Sequence, residues 1–290
     1  MKKTLEKAPL VHALIHLRFA EVPCLNDISS DMLKQLHMVM VDKGFPEKII
    51  SEARMVDLSF DAETKQMRHN QAIKKRNLFR AEGEQEIVEI SETSIILKST
   101  NYNTFECFYE KFHSILDGCL EVINGLEKTL IKSVGLRYVD VIAPDKGCSL
   151  ADFIASEVLP PQLPVPGKHL QGGSVKVIET SPEQVLVVNF EELSCIDRKV
   201  HKVLPNDLLE PDRACGLTIE GQQEWLDVDA ESYGILDVDH THNFPGSPKF
   251  NIDEIGLITR ELYQNSNQIF WNMITTHAKD VWGMAEQETH

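Results

Sequence analysis

Two aspartates and two histidines lie close together in the stretch ILDVDHTHNF, residues 235–244. Carboxylates and imidazoles are the side chains that ligate divalent metals and that exchange protons in acid–base catalysis. The stretch therefore raises two hypotheses, a metal or acid–base site and a strand that has a polar face. The four residues concerned are Asp237, Asp239, His240 and His242.

The apolar residues of this stretch predict a β-strand, whose successive side chains point to opposite faces of a sheet. Asp237 and Asp239 then share one face with Thr241, and His240 and His242 share the other. Histidines two positions apart on a strand are separated by about 7 Å, so His240 and His242 could share a metal with a third ligand. With a carboxylate they would form the site of a metal-dependent hydrolase. The alternative is that His240 packs beneath a helix and His242 ends the strand.

Two other apolar stretches carry an arginine in matching positions. LVHALIHLRFAEV (residues 10–22) and SVGLRYVDVIAP (residues 133–144) both predict strands, and an aromatic residue follows the arginine in each. In the first stretch, apolar residues alternate with His16 and Arg18, so these two side chains face away from the core. If both stretches join one sheet, His16, Arg18 and Arg137 share a polar surface near Asp237 and Asp239.

Two interpretations of this polar surface remain open. Cross-strand Arg–Asp pairs would satisfy the charges of a partly covered sheet. Alternatively, the two guanidinium groups could form a groove that binds a ligand or partner through paired hydrogen bonds. The predicted ligand or partner surface consists of Arg18, Arg137, Asp237, Asp239 and His16.

A basic stretch without acidic residues runs from Lys65 to Arg80. One interpretation is a solvated pair of strands and the turn between them. The other is an anion-binding patch for a nucleotide, a nucleic acid or an acidic partner. The anion-binding candidates are Lys74, Lys75, Arg76 and Arg80.

Established catalytic motifs are missing from the sequence. It has no GxSxG nucleophile elbow and no glycine-rich phosphate loop followed by lysine. Its six cysteines are scattered without a CxxC pair, which argues against a zinc knuckle. A non-enzymatic protein without a cofactor is therefore the favoured hypothesis.

The order of predicted elements is strand, helix, several strands and long helix, and this order occurs twice. The long helices are predicted at residues 104–126 and 253–281, and the last strands of the second half at residues 214–220 and 235–242. The sequence predicts an α+β fold, in which a duplicated β-α-β(3-4)-α unit forms a largely antiparallel sheet with helices on one face. The first repeat would span residues 1–127 and the second residues 128–290, as two domains or one continuous domain.

Composition limits the classes of partner. Of the 290 residues, 42% are hydrophobic and 26% are charged, as is usual for a folded protein. The formal net charge of −16 disfavours nucleic acid and anionic membranes as partners. No run of apolar residues is long enough for a membrane span and no signal peptide is recognised, so a cytoplasmic location is expected.

Several short motifs together resemble the TIGR04255 family, a sporadically distributed family of bacterial and archaeal proteins. They are APLVHALIHLRF (residues 8–19), VGLRYVDVI (residues 134–142), GILDVD (residues 234–239) and the last helix. Asp140 stands where the family commonly has asparagine. The resemblance implies an architecture and an accessory bacterial role, and it implies no catalytic residues.

The leading hypothesis is a binding or adaptor protein, in a bacterial accessory or defence system, that uses its polar sheet surface. A protein partner of unknown identity is expected, and a homodimer is left open. The alternatives are a metal-dependent hydrolase built on His240 and His242 and a nucleotide- or nucleic-acid-binding protein built on the Lys65–Arg80 stretch.

Overall fold

The computed structural model describes residues 2–61, 66–220, 225 and 227–287. This part of the chain confirms the α+β prediction. Its strands are β1 (Lys2–Leu5), β2 (Leu10–Phe19), β3 (Glu47–Asp61), β4 (Gln66–Arg80), β5 (Glu86–Ser91), β6 (Ser94–Ser99), β7 (Ile131–Ile142), β8 (Gln171–Ser181), β9 (Gln184–Ser194), β10 (Ser232–Asn243) and β11 (Met284–Gln287). Its helices are α1 (Pro23–Asn26), α2 (Ser30–Asp42), α3 (Phe105–Val122), α4 (Leu150–Phe153), α5 (Ile252–Met273) and α6 (Thr276–Val281).

Nine of the described strands form one sheet in the order β3-β4-β5-β6-β2-β7-β10-β9-β8. All neighbouring strands in it pair antiparallel, and β2 and β7 pair at its centre. The remaining two, β1 and β11, form a separate two-stranded sheet. The pairing of β2 with β7 therefore joins the N-terminal and C-terminal halves in one sheet.

The two halves add strands outward from the central pair in similar ways. Strands β6, β5, β4 and β3 follow β2, and strands β10, β9 and β8 follow β7. The predicted boundary between residues 127 and 128 falls in a 3-10 turn, Leu126–Lys128, which leads into β7. The sheet is continuous across this boundary. That the halves arose by duplication stays a prediction.

Alternation along β2 and β7 decides which side chains meet the helices. Ala13, Ile15 and Leu17 alternate with more polar residues on β2 and are fully buried in the main core. Leu136 on β7 joins the same core, which contains the apolar faces of α3 and α5. The long helices thus cover one face of the sheet, as the sequence predicted, and the other face carries polar side chains beside a smaller apolar cluster that includes Val139 and Ile235.

Helix ends follow local capping chemistry. Thr104 caps α3 by accepting a hydrogen bond from the Cys107 backbone N–H, and Asn251 caps α5. The single helix predicted at residues 253–281 is wrong, because α5 ends before Ile274 and Thr275 caps the separate helix α6. In the described part of the chain, none of the helices is both long and apolar enough to cross a membrane.

Residues 195–220, which we call the covering segment, cross the face of the sheet opposite the helices. The strand predicted at residues 214–220 is wrong, because the chain forms a 3-10 turn at Arg213–Cys215 instead. The Thr218 backbone N–H bonds to a turn carbonyl rather than to a strand ladder. Apolar residues of the segment, including Leu208 and Ile219, pack with Val139 on the sheet. Apolar packing therefore anchors the segment to this face of the sheet.

We expect the variant Gly118→Ala to destabilise the fold although alanine favours helices. A Cβ on Gly118 of α3 would overlap the Cγ1 atom of Val39 on α2, and the β-branched Val39 side chain has few alternative rotamers. Urea unfolding should show a loss of about 1–3 kcal/mol. The double variant Gly118→Ala/Val39→Ala should lose less than the sum of the two single variants. A single variant as stable as the wild type would contradict this packing.

Candidate functional site

The face opposite the long helices carries a polar cleft between the central strands and the covering segment. Its cavity measures about 470 Å³. The predicted surface contributes His16, Arg18, Arg137 and Asp239 to its lining. The predicted anion-binding patch contributes Arg76, and the sequence did not single out most of the other lining residues. Strands β2, β7 and β10 thus bring most of the predicted surface into one site.

Arg137 occupies the centre of this polar face. Its Nε and Nη2 atoms donate hydrogen bonds of 2.8 Å each to the two carboxylate oxygens of Asp237. Its Nη1 and Nη2 atoms also donate to Asp207 of the covering segment, at 2.6 and 3.1 Å. One guanidinium group therefore holds two carboxylates, one on the neighbouring strand and one on the segment above.

Charge pairing and burial shape the pKa values at this centre. Burial opposes the charge of Arg137, but its hydrogen bonds to Asp237 and Asp207 raise its pKa further. The hydrogen bond from Arg137 holds the pKa of Asp207 below its usual value. Burial raises the pKa of Asp239, with the Arg137 charge opposing that shift. The cross-strand Arg–Asp pair, one of the two interpretations of the sequence, is thus formed, and it leaves the Arg137 guanidinium fully engaged by two carboxylates.

The other end of the cleft has a different composition. Arg18 lies opposite Ser133, and Ser133 lies opposite Asn243 on the next strand. The next row across the three strands contains His16, Gly135 and Thr241. These two rows present a guanidinium, an imidazole, two hydroxyls and an amide, and they contain no carboxylate.

Gly135 leaves space in the floor of the cleft between His16 and Thr241. A Cβ atom at this position would come within 3.0 Å of Thr241 Oγ1. Such a distance is shorter than an ordinary van der Waals contact. The absence of a side chain therefore deepens the cleft beside Arg18.

Two buried or partly buried ion pairs fix the covering segment above the cleft. Arg76 on β4 donates to both carboxylate oxygens of Glu210, at 3.0 and 2.9 Å, and to Ser51 at 3.0 Å. Arg137 holds Asp207 in the same way. Polar contacts at Glu210 and at Asp207 thus hold the segment over the cleft.

Two residues of the predicted anion-binding patch pair with carboxylates of the protein itself. Arg76 is buried and bound to Glu210, and Arg80 donates to Glu47 at 2.7 and 3.1 Å. Both guanidinium groups are therefore occupied by carboxylates of the protein. Lys75 is exposed on β4, whereas Lys65 and the side chain of Lys74 lie outside the described residues.

His240 and His242 lie on the helix side of the sheet, away from Asp237 and Asp239 as predicted. His240 is fully buried, and its ring bonds to Thr180 Oγ1 at 2.9 Å and to the Leu262 carbonyl at 3.2 Å. Burial lowers the pKa of both imidazoles. Among the described residues, no group of three or more His, Cys, Asp or Glu side chains is arranged to hold a metal. The geometry favours the alternative in which His240 packs beneath a helix.

His12 is a buried histidine in the cleft lining. Only 4% of it is exposed, and its Nδ1 atom has no hydrogen-bond partner in the described part of the chain. Burial, with smaller effects from the nearby Lys98 and Arg137 charges, lowers its pKa to about 3. The imidazole is therefore neutral at physiological pH and stays so in mild acid.

Sequence reasoning missed several residues of the cleft. Ser133 and Asn243 share the strand alternation of Arg137 and Asp239, so continuing that alternation would have found them. Asp207 and Glu210 lie in an irregular segment far from their arginine partners in sequence. Hydrophobic periodicity gives no signal for such long-range pairs.

We expect Asp237→Asn to destabilise the protein much more than Asp207→Asn. The Asp237 side chain is 7% exposed, and replacing its carboxylate leaves the buried Arg137 guanidinium with one charged partner instead of two. The Asp207 side chain is 64% exposed. Urea unfolding should show a loss of about 3 kcal/mol for Asp237→Asn and about 1 kcal/mol or less for Asp207→Asn. The double variant Arg137→Met/Asp237→Leu should recover part of the loss. Equal effects of the two single variants would contradict a buried pair.

His12 should make the stability depend on pH in mild acid. Its folded-state pKa of about 3 lies below the ordinary 6.5, so the unfolded chain binds a proton first as pH falls. This contribution to stability is complete above pH 6.5 and is lost as pH falls towards 3. Between pH 6 and 4 the wild type should lose about 1.4 kcal/mol per pH unit more than His12→Gln. Parallel curves for the two proteins, measured by urea unfolding, would contradict a buried neutral imidazole.

Comparisons with known proteins do not assign the chain to a family. No family model matches it, and no curated protein matches it. Among solved structures, the di-domain ARO/CYC StfQ from the steffimycin biosynthetic pathway aligns with 93% of this chain and 99% of its own. The sequence identity is 9% and the TM-score is 0.17. A similarity this low carries no argument about fold or function.

Proposed function

We propose that this protein is a binding protein and that the polar cleft receives a small molecule through an anionic group. The observation that carries the proposal is the uneven distribution of charge in the cleft. Arg137 and Arg76 are occupied by carboxylates of the protein. Arg18 is exposed, and no described residue forms an ion pair or hydrogen bond with its side chain.

The surroundings of Arg18 support recognition of an acceptor-rich group. Ser133 and Asn243 lie in its cross-strand row, and His16 and Thr241 lie in the next row. Guanidinium, hydroxyl and amide groups all donate hydrogen bonds to carboxylate or phosphate oxygens. Three carboxylates that line the cleft already have basic partners in the protein: Asp207 is bound by Arg137, Glu210 by Arg76 and Glu89 by Lys98.

The shape of the cleft supports a small molecule. A cavity of about 470 Å³ lies within the range of typical small-molecule sites. The covering segment provides a wall on the side opposite the sheet, through Asp207 and Glu210. A ligand between the sheet and the covering segment would contact side chains held by regular strands, which position groups more rigidly than loops do.

Some of the other hypotheses from the sequence stay predictions, and others lose support. A protein partner, a homodimer and membership of the TIGR04255 family stay predictions. The hydrolase hypothesis loses its motivation because the His240 ring already bonds to Thr180 and to the Leu262 carbonyl. The nucleotide hypothesis moves from the Lys65–Arg80 stretch to the cleft, where a phosphate would meet Arg18.

The proposal is tested by titrating the protein with citrate, inorganic phosphate and adenosine monophosphate in an isothermal calorimeter at low salt. At least one of these anions should bind the wild type, and added salt should weaken binding. Arg18→Glu should weaken it about tenfold or more, because a cation at the site is replaced by an anion.

The matched control is Lys34→Glu, which makes the same charge change on the exposed face of α2. This variant should bind the anion as the wild type does. The proposal fails if none of the three anions binds the wild type. It also fails if Arg18→Glu and Lys34→Glu behave alike.

A further inference from the structure

A second cavity lies on the helix side of the sheet and is separate from the polar cleft. It measures about 530 Å³ and lies between β7, the start of α3 and α5, with β1 at its edge. Its walls contain a carboxyl group and several aromatic rings, including Asp140, Tyr138, Tyr102, Tyr263 and Trp271. None of these residues takes part in the proposed anion site.

Asp140 is placed in this cavity by the alternation along β7. Arg137 and Val139 point to the polar cleft side, so Tyr138 and Asp140 point to the helices. Asp140 is only 3% exposed. None of the described residues donates a hydrogen bond to its carboxyl group or forms an ion pair with it. A buried carboxylate without a partner is energetically costly, so this group calls for a counter-ion or a proton.

Aromatic rings form much of the cavity wall. The Tyr102 and Tyr138 rings meet edge to face with centroids 5.5 Å apart, and their hydroxyl oxygens are 3.3 Å apart. Phe105 and Tyr263 stack with centroids 4.0 Å apart. The faces of such rings carry negative electrostatic potential, which attracts ammonium groups. The remaining polar groups of the wall, such as Ser266 and Asn267, can accept hydrogen bonds.

The protein itself places one alkylammonium group against this lining. Lys3 on β1 reaches the edge of the cavity, and its Nζ atom lies 5.7 Å from the centroid of the Trp271 ring. This distance is within the range of a cation–π contact. The mouth of the cavity is thus already compatible with an organic cation.

We propose that this aromatic cavity binds a small organic ammonium ligand, with the Asp140 carboxylate as its counter-ion. The apolar part of the ligand would contact the aromatic rings, and its ammonium group would pair with Asp140. An anionic ligand could not take this role, because it cannot pair with the carboxylate form of Asp140. The proposed anion site lies on the other face of the sheet, so either proposal can fail without the other.

Proton uptake and release provide a signature of this pairing. Burial, with a smaller effect from Asp237, raises the pKa of Asp140 to about 8. In the absence of a ligand, the carboxyl group is mostly protonated at pH 7. An ammonium ligand stabilises the carboxylate, so its binding releases a proton and strengthens as pH rises towards 8. The other titratable groups of the wall are Lys3, Glu6, Tyr102, Tyr138 and Tyr263.

The test compares phenethylammonium with the neutral isostere 2-phenylethanol by isothermal calorimetry at pH 7. The wild type should bind the ammonium probe roughly tenfold or more tightly than the alcohol. Its binding enthalpy should change with the ionisation enthalpy of the buffer, as expected for release of a proton. Equal affinities, binding of neither probe or binding of the ammonium without proton release would overturn the proposal.

The variant Asp140→Asn isolates the role of the carboxyl group. Asparagine has nearly the shape of a protonated carboxyl group, so the variant should fold, lose the preference for the ammonium probe and release no proton. The control Asp42→Asn removes an exposed carboxyl group at the end of α2, outside both cavities, and should bind both probes as the wild type does. A preference that survives in Asp140→Asn would contradict the assignment. If this variant does not fold, the proton release of the wild type decides.

Discussion

Antiparallel pairing of β2 with β7 is the constraint on which both candidate sites depend. It joins the two halves of the chain and fixes which residues of one strand lie opposite those of the other. Since side chains alternate along each strand, the same pairing directs Arg137 to one face and Asp140 to the other. A shift of register by one residue would exchange the faces of all these side chains. Helix packing against Ile15, Leu17 and Leu136 opposes such a shift.

Buried arginines are paired with carboxylates on the polar face of the sheet, whereas a buried carboxyl group has no described partner on the helix face. On the polar face, the Arg137 guanidinium donates hydrogen bonds to two carboxylates, and Arg76 donates to Glu210. These pairs hold the covering segment and leave Arg18 as the basic group open to a ligand. On the helix face, Asp140 has a raised pKa because aromatic and apolar groups surround it. The two proposals therefore assign an anion to one site and a cation to the other in a chain whose net charge is −16.

The sequence predicted those features that follow from local periodicity. Alternation along β10 separated Asp237 and Asp239 from His240 and His242, and the helical spacing of apolar residues located α3 to within a few residues. It failed where partners are distant in sequence or where structure is irregular. Arg76 and Arg80 looked like free cations because Glu210 and Glu47 lie on other elements. The covering segment has no periodic pattern, so a strand was predicted at residues 214–220 where the chain forms a turn.

The central claim is that one strand, β7, separates two sites of opposite preference. NMR titration of the deuterated protein with an anion and with phenethylammonium, first separately and then together, tests it most directly. The anion should shift the backbone signals near Arg18, Ser133 and Thr241, whereas the ammonium ion should shift those near Tyr138 and Asp140. Both sets should shift together, without competition, when both ligands are present. A single shared set of shifts, or displacement of one ligand by the other, would contradict the claim.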